Sequence, residues 1–150
     1  MRSVIQRVSQ ASVIIDEKKV ASINEGLLVL LGIETQDTKE DSEWLANKIS
    51  SLRIFSDKDG KMNRSVTEVN GEVIVVSQFT LHAKTKKGNR PSYIKASRPE
   101  HAIPLYEKFK KDMSAVTGKE VQSGEFAADM KVSLTNDGPV TIIIDTKNKE

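Results

Sequence analysis

Cysteine is absent, which excludes a disulfide framework, a thiol nucleophile and a thiolate metal site, and fits a reducing cytoplasm. Long apolar runs are missing too. None approaches the ~18 residues a membrane span requires, and Met1-Arg2-Ser3-Val4-Ile5-Gln6-Arg7 interleaves polar with apolar side chains where a leader would be apolar. A soluble, unprocessed protein is expected. Histidine is limited to His82 and His101, with no HExxH pattern, so no zinc site and no other metal is expected. Gly88 and Gly118 lack the spacing of a phosphate-binding loop, which leaves nucleotide triphosphate chemistry unsupported. Asp57-Lys58-Asp59-Gly60 begins like a calcium loop but continues with Lys61 and Met62 where an oxygen ligand and a glycine belong, so it reads as a β-turn. Acidic residues are missing from Val73 to Pro99, whereas Lys84, Lys86, Lys87, Arg90, Lys95 and Arg98 supply six positive charges there. A net charge of only +2 hides this local field, which suits phosphate groups.

The 150 residues suffice for one core burying roughly 70% of the unfolded surface. No repeat or Pro/Gly-rich linker divides them. We read a single domain over residues 1–146 with a disordered tail from Lys147 to Glu150. Strands are expected at Val4 to Ile15, Lys19 to Ile23 and, after a break at Gly26, Leu27 to Ile33. Thr38 to Leu52 reads as a helix started by Asp37 with Glu40 three residues on. Arg53 to Ser56 is a short strand; Asn70-Gly71 is a turn before Glu72 to Gln78, whose apolar stretch Val73 to Val76 marks a central strand. A second helix runs from Pro99 to Thr117, ended by Gly118, with Pro104 expected to kink it or delay its start. Strands return at Glu120 to Glu125, Lys131 to Thr135 and Val140 to Thr146. The class is therefore α+β: an antiparallel or mixed sheet, or a barrel-like core, with two main helices packed outside.

Two strings place polar groups where a sheet should continue. Ser77-Gln78-Phe79-Thr80-Leu81 follows the central strand, and its buried polar groups need partners worth about 1 to 3 kcal/mol each. If the backbone opens there, the amides of Phe79 and Thr80 become donors for a developing oxyanion, beside the hydroxyls of Ser77 and Thr80. That arrangement suits acyl transfer or ester hydrolysis. If residues 79 to 82 continue as a strand, His82 shares a face with Thr80 but lies about 6 to 7 Å along it, too far for direct proton transfer. Asn136-Asp137-Gly138-Pro139-Val140-Thr141 is a tight turn in which glycine tolerates unusual φ and proline fixes it. The Gly138-Pro139 bond has a low base rate of the cis isomer, about 5 to 6%, and the residues alone leave the isomer open.

The strings SQFTL (77–81), GNRPSY (88–93), GEFAADM (124–130) and NDGPVT (136–141), with IQRV at 5–8, stand in the order and approximate spacing of the D-aminoacyl-tRNA deacylase family. The resemblance runs from residue 1 to about 146 and brings the family's fold with it. It implies an esterase that hydrolyses D-aminoacyl-tRNA to free D-amino acid and tRNA, a chiral proofreading step in translation quality control that needs no cofactor. It implies a homodimer in which the Gly138-Pro139 turn, cis and held by Arg7, enters the partner's pocket and excludes L-amino acids by its carbonyls. Glycine passes such a gate, so removal of glycine from mischarged tRNA(Ala) is also implied. The catalytic set is then Ser77, Gln78, Phe79 and Thr80. Either Thr80 or the 2′-hydroxyl of the terminal ribose acts as nucleophile; the absence of a base near Thr80 favours the ribose. Lys84, Lys86, Lys87 and Arg90 are expected to hold the phosphates of the tRNA acceptor end, with no membrane partner. The alternative is a non-catalytic tRNA-binding domain that uses the basic loop 84–98 alone.

Overall fold

A computed structural model describes residues 1–150. In chain order the elements are β1 (Arg2–Ile15), β2 (Lys18–Ile23), β3 (Gly26–Gly32), α1 (Lys39–Ser51), β4 (Phe55–Ser56), β5 (Met62–Arg64), β6 (Glu72–Ser77), a 3₁₀ turn (Phe79–His82), α2 (Pro99–Thr117), β7 (Gln122–Ser123) and β8 (Lys131–Asp145). One mixed sheet runs β2-β1-β3-β6-β7, with β8 on the other side of β1, and β4–β5 form a separate ribbon. The expected α+β class with two outer helices holds. No helix is long and apolar enough to cross a membrane.

The long strand β1 organises everything else. It pairs antiparallel with β3 through Arg2 to Val8, with β2 from Ala11 on, and with β8 along nearly its whole length. Its pairing with β8 slips between Val8 and Gln10, which face Asn136 and Thr135, so Ser9 is an extra residue. Such a bulge re-phases the side chains. Ile5 accordingly joins a core between the sheet and the two helices, with Leu27, Val29, Leu45, Ile49, Phe109 and Met113. Val8, Ala11 and Val13 join a smaller core with Ile23, Leu28, Ile74 and Val76. β8 curls over both: Ile142 and Ile144 pack on the first, Val132 and Leu134 on the second. The sheet is thus rolled toward a barrel.

Several boundaries differ from expectation, each for a local reason. Gly26 does not break the chain but opens β3; a Cβ there would lie 1.9 Å from the carbonyl oxygen of Glu72, so only glycine lets β3 and β6 close up as a parallel pair. The cap of α1 is Thr38, whose N–H donates to Asp41 Oδ2 at 2.9 Å. Asp37 is unavailable for capping because it is buried against the Met1 ammonium and accepts from the N–H of Glu34. Helix α2 runs from Pro99 to Thr117 without delay. Pro104 deprives only the carbonyl of Glu100, which lies in the exposed first turn of the helix. The strands expected at 53–56 and 120–125 shrink to two residues each, and those at 131–135 and 140–146 belong to one element, β8. Lys147, where a free tail is expected to begin, donates to Asp41 at 2.7 Å, and Lys149 lies over Trp44 at 4.2 Å.

Burial disfavours the charge of Asp41, but hydrogen bonds from Lys147, Thr146 and the Thr38 backbone outweigh it and hold the carboxyl well below its ordinary 3.8. A depressed carboxylate stabilises the fold above its unfolded value, and that contribution is lost as pH falls below about 4. Asp41→Asn is therefore expected to lower the melting temperature at neutral pH and to flatten its decline in acid. A titration of melting temperature against pH checks this; an unchanged acid limb would contradict it.

Candidate active site

The parallel pair β3–β6 ends at Leu31 and Ser77, and ligands bind beyond the carboxyl ends of parallel strands. Gln78 N still donates to Leu31 O at 2.7 Å. Its backbone then leaves the strand (φ −144°, ψ 77°) and enters the 3₁₀ turn. That turn is closed by Leu81 N to Gln78 O (3.2 Å) and Ala83 N to Thr80 O (3.1 Å). The amides of Phe79 and Thr80, first in the turn, have no acceptor within it, as at any helix start. The structure therefore brings Ser77, Gln78, Phe79 and Thr80 together as two free N–H donors flanked by two hydroxyls and an amide.

Ser77, Gln78 and Phe79 line a cavity of about 350 Å³, whereas Thr80, one residue further into the turn, does not; the volume is within the size range of small-ligand sites. Leu31, Ile33 and Val76 to Phe79 form one side, Ser97 and Ala102 the second, and Phe126 to Met130 with Val132 the third. Ala127 lies at φ 65°, so this third side is made by a sharp bend of backbone. Beneath, Tyr106 Oη donates to Val75 O at 3.1 Å, and burial pushes its phenol up to about 12. Phe79 is half exposed and meets Tyr93 edge to face at 5.1 Å.

No base attends Thr80. Its hydroxyl oxygen accepts from Gln78 Nε2 at 2.5 Å, a neutral amide that cannot remove a proton. His82 is 3% exposed, its Nε2 has no partner, and it does not line the cavity. His101 Nε2 is paired with Asp37 O at 3.0 Å. Asp129 lines the cavity, with its carboxylate 3.0 Å from Lys131 Nζ. The arrangement can orient an ester and stabilise its oxyanion, but it does not activate a threonine.

The other predicted residues gather elsewhere. Gln6 faces Thr141 and Val8 faces Asn136, so Arg7 alone stands opposite residues 137 to 140, which leave the ladder as a loop. Gly138-Pro139 is cis, with Gly138 at φ 141°. Arg7 Nε donates to Asp137 O at 2.8 Å and Nη1 to Ile54 O at 2.6 Å, so the guanidinium ties this loop to the chain before β4. Neither Gly138 nor Pro139 lines the cavity of its own chain. Arg7 pairs with Leu27, four residues before Leu31 along β3, about 13 Å away.

Lys84, Lys86, Lys87 and Arg90 are exposed in a loop pinned by Lys84 N to Ser92 O (2.8 Å) and Ser92 N to Lys84 O (3.0 Å). None of the four has a carboxylate partner, which leaves their charge available. Sequence reasoning missed Ile33, Ser97 and Ala102 as cavity residues, since small or apolar side chains carry no chemical signal. GEFAADM was noticed as a string without a place; its residues Phe126 to Met130 form the third wall.

A family model described as D-Tyr-tRNA(Tyr) deacylase matches residues 4–145. Proteins named D-aminoacyl-tRNA deacylase are similar over 150 residues, covering 100% of both chains: 67% identity for that of Flavobacterium psychrophilum and 63% for that of Bacteroides fragilis. A solved structure titled c-Myc DNA Unwinding Element Binding Protein superposes with a TM-score of 0.90 at 38% identity, covering 97% of this chain and 98% of that one. Another, of a probable eukaryotic D-amino acid tRNA deacylase, gives a TM-score of 0.83 over 95% and 97% at 17% identity, a likeness of fold alone.

Proposed function

The chain belongs to the D-Tyr-tRNA(Tyr) deacylase family, and on that premise we propose that it hydrolyses the ester of D-aminoacyl-tRNA, guarded by a main-chain gate that a second subunit supplies. The observation that carries this reading is the open 3₁₀ turn: the amides of Phe79 and Thr80 have no acceptor within it, Phe79 stands at the cavity, and no general base attends them.

An aminoacyl ester is already labile, so orientation and oxyanion stabilisation suffice. Attack by the 2′-hydroxyl itself would only move the acyl group from the 3′ to the 2′ oxygen. With the ester carbonyl against the amides of Phe79 and Thr80 it is therefore water, giving its proton to that hydroxyl, that attacks the carbonyl carbon and forms the new C–O bond. Negative charge collects on the oxygen held by the two N–H groups. Collapse breaks the bond to the ribose 3′ oxygen, which takes a proton relayed by the neighbouring 2′-hydroxyl. The products are the free D-amino acid and tRNA. Gln78, bonded to Thr80 Oγ1, keeps the turn in shape while Ser77 ends the strand.

Two observations support a gate acting in trans. The Gly138-Pro139 loop is too far along the sheet to serve its own cavity. β8, 15 residues long, pairs only with β1 and leaves its outer edge and Ile143 (70% exposed) uncovered, an edge that proteins ordinarily cover. In a symmetric pair each loop would enter the other cavity. A substituent placed as in an L-residue would meet the carbonyls of Gly138 and Pro139. Glycine has no such substituent, so the reading extends to glycine on tRNA(Ala). The exposed Lys84, Lys86, Lys87 and Arg90 would hold acceptor-stem phosphates in a salt-dependent, sequence-independent way. The working compartment is then the one that holds aminoacyl-tRNA.

The test compares D- and L-tyrosyl-tRNA. The D ester is expected to be hydrolysed faster by about two orders of magnitude, the cost of displacing a substrate by about 1 Å. Equal rates or a preference for the L ester would overturn the reading.

A further inference from the structure

A loop of four residues that has left its ladder needs something to define its shape. Arg7 grips only the rising limb, at the carbonyl of Asp137. The descending limb is held by Asn136. Its Oδ1 accepts from Val140 N at 2.9 Å, and its Nδ2 donates to Thr141 Oγ1 at 3.0 Å, so one planar amide spans the mouth of the loop. Thr141 Oγ1 also accepts from Gln6 Nε2 at 3.4 Å, which ties the brace to the neighbouring rung of β1. The task needs one short side chain that bonds Val140 N and Thr141 Oγ1 at once, which asparagine does as acceptor to the first and donor to the second.

We infer that Asn136, with Thr141 as its anchor, is a positioning residue for the gate: it sets where the Gly138 and Pro139 carbonyls stand and thereby the ratio of D- to L-ester hydrolysis. The inference rests on the reading of this turn as the chiral wall. It concerns how the wall is held, and neither residue touches substrate.

The chain contains its own control. Gln10 Nε2 donates to Thr135 Oγ1 at 3.4 Å, the same Gln–Thr pairing on β1 and β8, on the far side of the Ser9 bulge where the ladder runs on through Ala11 and Leu134 and no loop hangs from it. A purely structural role for such pairs predicts equal effects at both places. A positioning role predicts an effect on chirality at only one.

The experiment measures hydrolysis of D- and L-tyrosyl-tRNA by the wild type, N136A, N136D, T141V and T135V, together with their melting temperatures. Each net hydrogen bond is worth about a factor of 2 to 10 in the population of the held state. N136A and T141V are expected to lower the D/L ratio about tenfold, chiefly through increased turnover of the L ester. N136D is expected to recover most of the ratio, because its carboxylate accepts from Val140 N and from a reoriented Thr141 hydroxyl. T135V is expected to leave it unchanged. If the wild type itself shows no D preference, the gate reading fails. If the wild type prefers the D ester and N136A and T141V keep its ratio, the brace is refuted while the gate stands. Should N136A fail to fold, T141V against T135V decides the matter, equal ratios refuting the inference.

Discussion

Replacing Gly138 with alanine is expected to cut turnover of D-tyrosyl-tRNA by about 100-fold while lowering the melting temperature by only a few degrees and leaving bulk tRNA affinity nearly unchanged. Gly138 sits at φ 141°, where L side chains are rare. A Cβ at this position would lie 2.9 Å from Arg7 Nη2, 2.9 Å from Val140 Cγ2 and 3.1 Å from Val140 N. Arg7 could yield only by giving up its bonds to Asp137 O and Ile54 O, the contacts that fix the loop. The loop therefore moves, and the wall moves with it far enough to misplace a D ester against the Phe79 and Thr80 amides, a larger displacement than the loosening at Asn136 that costs selectivity alone. Stability is spared because Gly138 is exposed and belongs to neither core. Single-turnover rates, filter binding and thermal unfolding of the variant together check this. If turnover and melting temperature collapsed together, the turn would be a structural element and not a gate.

The second large effect is expected at Phe79. Proline in its place removes the N–H, and the first position of a helical turn tolerates proline because that N–H has no intrahelical acceptor. Phe79→Pro is expected to lower kcat by about 10²- to 10³-fold, the usual cost of losing one oxyanion donor. Phe79→Ala loses the same ring but keeps the donor, and is expected to raise KM with far less effect on kcat. Thr80→Ala is expected to retain most of the turnover, since the only partner of its hydroxyl is the Gln78 amide. A Thr80→Ala enzyme as inactive as Phe79→Pro would return the chemistry to the threonine.

The parts of this fold that local chemistry dictates were readable from the chain. Helix α2 starts at Pro99 and stops at Gly118, which takes the left-handed conformation (φ 72°) that glycine allows. β6 was readable as central because Val73 to Val76 is apolar on both faces, and all four are buried. Tertiary partners decided the rest. Asp37 looked like the cap of α1 until the buried Met1 ammonium claimed its carboxylate. The gap between the two final strands is real in the pairing, since residues 137 to 140 have no partner on β1, but the single long β1 binds the segments on both sides of it. Gly26 looked like a breaker because nothing local indicates that Glu72 lies against it.

The site divides in the same way. SQFTL was legible because polar groups after a buried strand demand partners, and the turn it forms leaves the two amides without intrahelical acceptors. The loop at 137–140 was legible as a turn, but its grip by Arg7 joins residues 130 positions apart. No local signal reports such a contact. Ala102 and Met130 shape the cavity through the space they leave, which only the assembled fold defines.

The claim on which all of this depends is that one subunit's loop completes the other's cavity, and mixing two inactive chains tests it most directly. Phe79→Pro keeps a sound loop beside a damaged cavity, and Gly138→Ala keeps a sound cavity beside a damaged loop. Co-refolded in equal amounts, a gate acting in trans gives each mixed dimer one intact site, and about a quarter of wild-type activity on D-tyrosyl-tRNA returns. A mixture as inactive as its two components would show that each loop serves its own chain, and would contradict the account.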